Sequence, residues 1–183
     1  MIGLFGGAFD PPHNGHVALV AAAKRALGLD RVVVLVAAEP AHKMVETPAA
    51  IRLALARAAF PEDEVLLDEH ERTVDTLRAH PEWDEPVFLH GADAFCDFLS
   101  WKEPDELLRL ARLGVASRCG FPRSRLRAVV DRLEEPERVV FFELEVPLAS
   151  SELRGRAELE DAVPPAVARL IAREGLYGAS PVH

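Results

Sequence analysis

The chain has 183 residues, of which 49% are hydrophobic and 28% charged, the balance of a globular protein whose core fits one domain. Its 21 lysines and arginines are outnumbered by 30 aspartates and glutamates, and the net charge of −9 argues against nucleic acid as a partner. Two cysteines without CxxC spacing imply neither a disulfide framework nor a zinc knuckle.

The N-terminal residues and the apolar runs predict where the protein is located in the cell. The apolar runs 17–23 and 32–38 are far shorter than the roughly 18 residues that a membrane span needs, and no basic residue precedes the first run. We therefore expect a cytoplasmic protein without a membrane partner. We also expect one domain over residues 1–178 and a flexible tail over 179–183.

Short apolar or β-branched runs alternate with longer segments of helical period along the whole chain. This alternation predicts an α/β protein, a doubly wound, mostly parallel sheet with helices on both faces. The predicted strands are Ile2–Phe5, Arg31–Val36, Val65–Leu67, Val87–His90, Gly114–Ala116 and Val139–Glu143. The predicted helices are His16–Leu27, Ala49–Ala59, Val74–Ala79, Asp93–Leu99, Pro104–Arg112, Ser124–Leu133 and Pro165–Glu174, the last ending at Gly175.

The first predicted strand runs into the segment Gly6-Gly7-Ala8-Phe9-Asp10-Pro11-Pro12-His13-Asn14-Gly15-His16. Glycines let a phosphate approach the backbone, and the free N–H groups of the helix that follows face that phosphate. His13 and His16 would project from one side of the first helical turn, and Gly15 leaves room for the ligand. A plain turn with two surface histidines and a zinc-binding histidine pair are the alternatives, although no third zinc ligand is nearby. The chain has neither a GxGxxG fingerprint nor a P-loop motif.

Later polar and aromatic residues would each have an ordinary structural explanation if they stood alone. Lys43 would be a solvated loop cation, and Trp101 would be a core residue. Thr73 and Asp93 would be helix caps. Ser150-Ser151-Glu152 would be an ordinary helix start.

Taken together with the N-terminal segment, these residues resemble the HxGH nucleotidyltransferase superfamily, and most of all its bacterial nicotinate-nucleotide adenylyltransferases. The similarity covers nearly the whole chain. It implies a Rossmann-like nucleotidyltransferase fold and an enzyme of NAD biosynthesis that moves AMP from ATP to nicotinate mononucleotide and releases pyrophosphate. A sibling enzyme that uses nicotinamide mononucleotide or phosphopantetheine, or a nucleotide-binding paralogue with weak catalysis, are the alternatives.

The resemblance implies where ATP would bind. The N-terminal signature would hold it through Gly6, Gly7, Ala8, Phe9 and Gly15. His90-Gly91-Ala92-Asp93 contains the family's Gly-x-Asp, in which Gly91 would make room for the adenosine and Asp93 would contact it.

The resemblance also implies which groups would carry the chemistry. Pro40-Ala41-His42-Lys43 is similar to the family's Pro-Pro-His-Lys, whose lysine helps to hold the phosphates. Leu148-Ala149-Ser150-Ser151-Glu152-Leu153-Arg154 is similar to Ile-Ser-Ser-Thr-x-Ile-Arg, so Ser150 and Ser151 would donate to phosphate oxygens. The implied catalytic residues are His13, His16, Lys43 and Arg154.

Three further residues would face the acceptor by the same resemblance. Thr73 opens Thr-Val-Asp-Thr-Leu, the end of a family stretch beside the nicotinate ring, but Glu71-Arg72 replaces the usual Ser-Tyr. Trp101 falls where the family has a tryptophan that stacks on that ring. Arg118 would bind the acceptor's phosphate, although Cys119 stands where proline is usual.

Adenylyl transfer of this kind requires neither a strong general base nor a general acid. The acceptor phosphate is already ionised at neutral pH, so the protein has to align two nucleotides and stabilise the charge that builds on the α-phosphoryl oxygens. The sequence has no obvious carboxylate cluster for a protein-held metal, and Mg²⁺ is expected to arrive with ATP.

Overall fold

A computed structural model describes residues 1–40, 45–118, 121–144 and 159–178 of the chain. All six predicted strands are present, several of them extended at one or both ends. They are β1 Ile2–Gly7, β2 Arg31–Ala37, β3 Glu64–Asp68, β4 Val87–Gly91, β5 Arg112–Arg118 and β6 Val139–Leu144.

The six strands form one sheet in the order β3-β2-β1-β4-β5-β6, and every neighbouring pair is parallel. This arrangement confirms the predicted doubly wound sheet. The strand order reverses between β1 and β4, which are adjacent in the sheet. Ligands of such sheets bind at the carboxyl ends of the strands beside this reversal. The N-terminal signature follows β1, and Gly91 ends β4.

The helices match the predicted segments with differences at their ends. They are α1 Asn14–Leu27, α2 Ala49–Ala59, α3 Thr73–Ala79, α4 Ala92–Cys96, α5 Pro104–Leu110, α6 Arg123–Val130, α7 Leu159–Ala162 and α8 Pro165–Glu174, with short 3₁₀ helices at Phe98–Ser100, Pro136–Arg138 and Leu176–Gly178. Among the described residues, no helix is long and apolar enough to cross a bilayer.

Three boundary predictions were wrong for identifiable reasons. The helix predicted over Asp93–Leu99 is interrupted at Asp97, and a 3₁₀ turn brings Phe98 to stack on Phe95, with 6.0 Å between the ring centroids. The helix predicted to reach Arg112 ends at Leu110, since β5 begins at Arg112 and pairs with β4 from there.

The third boundary error concerns α6, which covers Arg123–Val130 and not Ser124–Leu133, because Asp131 caps it. The short helix α7 was not predicted. The predicted stop of α8 at Gly175 is confirmed, since this glycine adopts the left-handed conformation, with φ +62°.

Two hydrophobic clusters sandwich the sheet. One packs α1, α2 and α8 on one face, and the other packs α3, α4, α5 and α6 on the opposite face. The strands therefore bury both faces, which explains why β2 reads as a continuous run of Val and Leu. The predicted tail over 179–183 lies outside the described residues.

Candidate active site

The signature segment leaves the sheet through a tight loop after β1. Gly7 is the last residue of that strand, and a Cβ added to it would lie 3.1 Å from the Phe9 ring. A Cβ on Gly6 would lie 3.0 Å from the ring of Phe88. A side chain at either position would therefore press on an aromatic ring, which would have to shift by a few tenths of an ångström. This packing was not predicted from the sequence.

The two histidines of the signature lie against each other at the start of α1. Their rings are stacked, with centroids 3.6 Å apart, and both lie on one side of the first turn, as the three-residue spacing predicted. His13 is the N-cap residue and is 4% exposed, whereas His16 is half-buried in the first turn. The main-chain N–H of His13 donates to Nδ1 of His16 over 3.1 Å. Because Nδ1 accepts, the proton of a neutral His16 ring lies on Nε2, which is then a hydrogen-bond donor.

Two phenylalanines, Phe5 in β1 and Phe9 in the signature, hold His16 in place. Its ring centroid lies 5.1 Å from that of Phe9 and 5.8 Å from that of Phe5. Phe5 and Phe9 are themselves 5% and 2% exposed in the core. The imidazole is therefore fixed by packing on one side and by the His13 main chain on the other, which favours a preorganised donor.

The carboxyl end of β4 supplies the Gly91 and Asp93 predicted for the adenosine. A Cβ added to Gly91 would meet no atom of the described residues within 4 Å, so among these residues the backbone there borders open space. Asp93 lies in the first turn of α4, but Gly91 is the N-cap, so a capping role for Asp93 was wrong. The described residues therefore leave the backbone of Gly91 accessible at the end of β4.

Buried beside them is His90, a residue to which sequence analysis gave no role. It is 4% exposed, and burial lowers its pKa to about 3, so the ring is neutral at physiological pH. Its Nε2 has no hydrogen-bond partner within the described ranges. The ring centroid lies 5.0 Å from that of Trp101, nearly edge-on.

Trp101 follows the 3₁₀ turn after α4 and is half-buried. Its ring packs on Phe98 at 5.7 Å and on His90, at the border of the hydrophobic cluster on that face of the sheet. Part of the indole therefore belongs to the core, and the rest reaches the surface. This geometry permits stacking on a ligand but does not require it.

Thr73 is the first residue of α3, and Arg72 is the N-cap, which corrects the capping role predicted for Thr73. The Thr76 hydroxyl, one turn later, donates to Oδ2 of Asp68 over 2.8 Å and so ties α3 to the carboxyl end of β3. Lys102 lies 3.0 Å from Oδ2 of Asp75 and links the Trp101 loop to the same helix. The segments of Thr73 and Trp101, both predicted to face the acceptor, are thus joined.

Two side chains that sequence analysis missed support the signature loop. Arg52 is 1% exposed and donates to main-chain carbonyls of the sheet edge, including that of Ala8 at 2.8 Å. Tyr177, after α8, donates to Oδ1 of Asp10. A signal for Arg52 existed, because it lies on the apolar stripe that Leu55, Ala56 and Ala59 define on α2. No local pattern points to Tyr177.

The start of α1 is also tied to the C-terminal part of the chain. The Asn14 side chain donates to the main-chain carbonyl of Asp161 in α7 over 3.0 Å. This contact places α7 beside the signature.

Several predicted site residues cannot be placed. Lys43, Ser150, Ser151 and Arg154 lie outside the described residues, as do Cys119 and Ala149, and only the backbone of Arg118 is described, at the end of β5. Within the described residues no group of three or more His, Cys, Asp or Glu could hold a metal ion.

Both a known protein family and a solved structure resemble this chain. The cytidylyltransferase-like family matches residues 4–156. A solved structure titled Plasmodium falciparum nicotinic acid mononucleotide adenylyltransferase complexed with NaAD superposes with a TM-score of 0.79 and covers 98% of both chains, at 17% identity. At that identity the likeness shows the fold alone.

Other proteins are more similar to this chain in sequence than that structure is. A protein of Thermus thermophilus named probable nicotinate-nucleotide adenylyltransferase is 40% identical over 193 aligned residues, which cover 96% of this chain and 98% of the relative. A protein of the same name from Rubrobacter xylanophilus is 32% identical, over 97% of this chain and 92% of the relative. The chain therefore belongs to the cytidylyltransferase-like family and, within it, to the nicotinate-nucleotide adenylyltransferases.

Proposed function

We propose that the protein transfers the adenylyl group of ATP to nicotinate mononucleotide and releases pyrophosphate. The observation that carries the proposal is the stacked pair His13 and His16 at the N-terminus of α1, at the point where strand order reverses. Imidazole donors and the positive end of a helix dipole together suit phosphate oxygens. The names of the sequence relatives support nicotinate mononucleotide as the acceptor.

In the proposed reaction an oxygen of the acceptor phosphate attacks the α-phosphorus of ATP. The new P–O bond forms as the bond to the bridging oxygen of pyrophosphate breaks, and the leaving pyrophosphate takes that electron pair. No proton needs to be removed from the nucleophile. His16 would donate from Nε2 to the α-phosphoryl oxygens, where negative charge builds.

The remaining roles are proposals that rest on the family resemblance. Lys43, Arg154, Ser150 and Ser151 would hold the triphosphate. Gly91 and Asp93 would accommodate adenosine, and the open space beside Gly91 supports this assignment. Thr73, Trp101 and Arg118 would face the acceptor.

Mg²⁺ is proposed to enter with ATP, because this ion is usually held by substrate phosphates and water with few protein ligands. The one carboxylate of the signature, Asp10, accepts a hydrogen bond from Tyr177. The glycine backbone and the imidazoles of the signature suit phosphate oxygens better than a hard cation. When bound, Mg²⁺ would offset the negative charge of the leaving pyrophosphate.

A panel of acceptors with ATP tests the proposal. Pyrophosphate release is expected with nicotinate mononucleotide, and at least about tenfold less efficiently with nicotinamide mononucleotide, because losing a charged hydrogen-bond partner costs about 1.5–3 kcal/mol. Phosphopantetheine should give none. Faster release with either of these two would identify a sibling transferase. ATP binding without release from any acceptor would identify a nucleotide-binding paralogue.

Trp101→Ala tests the acceptor side of the site. If the indole stacks on nicotinate, acceptor binding should weaken by about 1–3 kcal/mol while ATP binding changes little. Titration calorimetry with each ligand and a melting curve provide the measurement. Trp83→Ala is the matched control, because Trp83 is 7% exposed in the core and its loss should cost about 3–5 kcal/mol of stability.

The outcomes for Trp101 are distinct. If Trp101→Ala behaves like the control, with a large loss of stability and poorer binding of both ligands, the indole is a core residue. An unchanged melting temperature with unchanged acceptor affinity would contradict both roles.

A further inference from the structure

The loop after β1 contains a strained residue. Phe9 has φ +50°, the left-handed region that a bulky residue rarely adopts. Such a residue persists only where its surroundings hold it, and strain of this kind concentrates at functional sites. Phe9 lies between Ala8 and Asp10, and each of these neighbours is held by a side chain from a distant part of the sequence.

Arg52 holds the Ala8 side of the loop. Its guanidinium donates to the main-chain carbonyls of Ala8 and Ala37 at 2.8 Å, and to those of Ala38 and Thr47 at 2.9 Å. One rigid, planar group thereby joins the signature loop to the end of β2 and to the segment before α2.

Tyr177 holds the Asp10 side. Its hydroxyl donates to Oδ1 of Asp10 and accepts a hydrogen bond from the Thr47 hydroxyl over 3.1 Å. Burial and the Asp10 carboxylate both raise the pKa of Tyr177, so the hydroxyl keeps its proton and stays a donor. Tyr177 itself has φ +51°, so both partners of this hydrogen bond lie at or beside a strained residue.

The packing of α8 on α2 rests on apolar residues and not on the Tyr177 hydroxyl. Leu55 and Ala56 of α2 share the hydrophobic cluster with Val167 and Ile171 of α8, and all four are at most 3% exposed. Apolar packing therefore keeps α8 on α2. The hydrogen bond from the Tyr177 hydroxyl to Asp10 instead holds the Ala8–Asp10 loop.

We infer that Arg52 and Tyr177 are positioning residues that hold the strained Ala8–Asp10 turn in the shape that presents its backbone to the phosphates of ATP. Neither side chain needs to touch the nucleotide. The inference rests on the proposed function for the identity of the ligand. It adds to that function a dependence of ATP binding on the segment after α8.

Tyr177→Phe tests the inference, because it removes the hydroxyl and keeps the ring. Hydrogen exchange of the amides in residues 8–16 should accelerate, and ATP affinity measured by calorimetry without acceptor should fall about five- to tenfold, as misaligned groups bind less well. The melting temperature should change by only a few degrees. Thr47→Val is the matched control, since it removes the other bond of Tyr177 and leaves Asp10 held, and ATP affinity should stay within about twofold of the parent.

A double-mutant cycle with Asp10→Ala isolates the contact. If Asp10 and Tyr177 act through each other, the double variant should bind ATP no more weakly than the worse single variant. Additive losses would overturn the inference, as would unchanged exchange in residues 8–16 of Tyr177→Phe. Faster exchange with unchanged ATP affinity would overturn the positioning role.

These outcomes remain separate from the fate of the proposed function. The calorimetric measurement uses ATP alone, so a parent protein that prefers another acceptor leaves the test intact. A parent protein without measurable ATP affinity would overturn both.

Discussion

Replacing His16 with alanine is expected to lower turnover roughly 10²–10³-fold, the usual loss when one donor to a developing negative charge is removed. The reason lies in the geometry of the first turn of α1. Nδ1 of His16 accepts from the His13 main chain, so the proton of the neutral ring is on Nε2, and in the proposed reaction this N–H donates to the α-phosphoryl oxygens. Steady-state pyrophosphate release with both substrates saturating measures the effect.

Two further variants separate the missing donor from a disturbed helix start. His16→Asn keeps an acceptor near the position of Nδ1 and loses the group at Nε2, so it should be nearly as inactive as alanine with the melting temperature of the parent. His16→Gln places an amide N–H near Nε2 and should recover part of the activity. Turnover above a third of the parental value in His16→Ala would rule out the assigned role.

The second large effect concerns acid stability and His90. Its pKa of about 3 in the folded protein lies below the unfolded value of 6.5, so between these limits the unfolded chain binds the additional proton. Stability is therefore lost as pH falls below about 6.5, by about 1.4 kcal/mol per pH unit. His90→Leu removes this contribution. The free energy of unfolding of the variant minus that of the parent should rise by about 2–3 kcal/mol between pH 8 and pH 4.5.

Urea unfolding at pH 8, 6 and 4.5 measures this gain. Phe88→Leu is the matched control, because Phe88 lies two residues earlier on the same face of β4 and does not titrate. The loss of stability caused by Phe88→Leu should be the same at every pH. If His90→Leu and the parent lose stability in parallel as pH falls, His90 is not the buried neutral histidine inferred from its surroundings.

Local patterns predicted the elements whose signals lie within one segment. The strand β2 was predicted from a run of apolar β-branched residues, and the end of α8 from Gly175, since both depend on residues adjacent in sequence. The placement of His13 and His16 on one side of the first turn was likewise predicted, because three residues of helix bring the two side chains together. Their stacking is seen only in the structure. Predictions failed where tertiary packing moved a boundary, as at Asp97 between α4 and the 3₁₀ turn.

The amino-acid sequence by itself determined the alternation of strands and helices, the position of the signature after β1 and the family resemblance, because each depends on short-range spacing. Only the tertiary structure decided which distant side chains support that signature. Arg52 comes from α2 and Tyr177 from the far end of the chain, and they meet at the Ala8–Asp10 loop because α2 and α8 pack on the same face of the sheet. Their hydrogen bonds join residues 44 and 167 positions apart, a separation across which no local periodicity carries a signal.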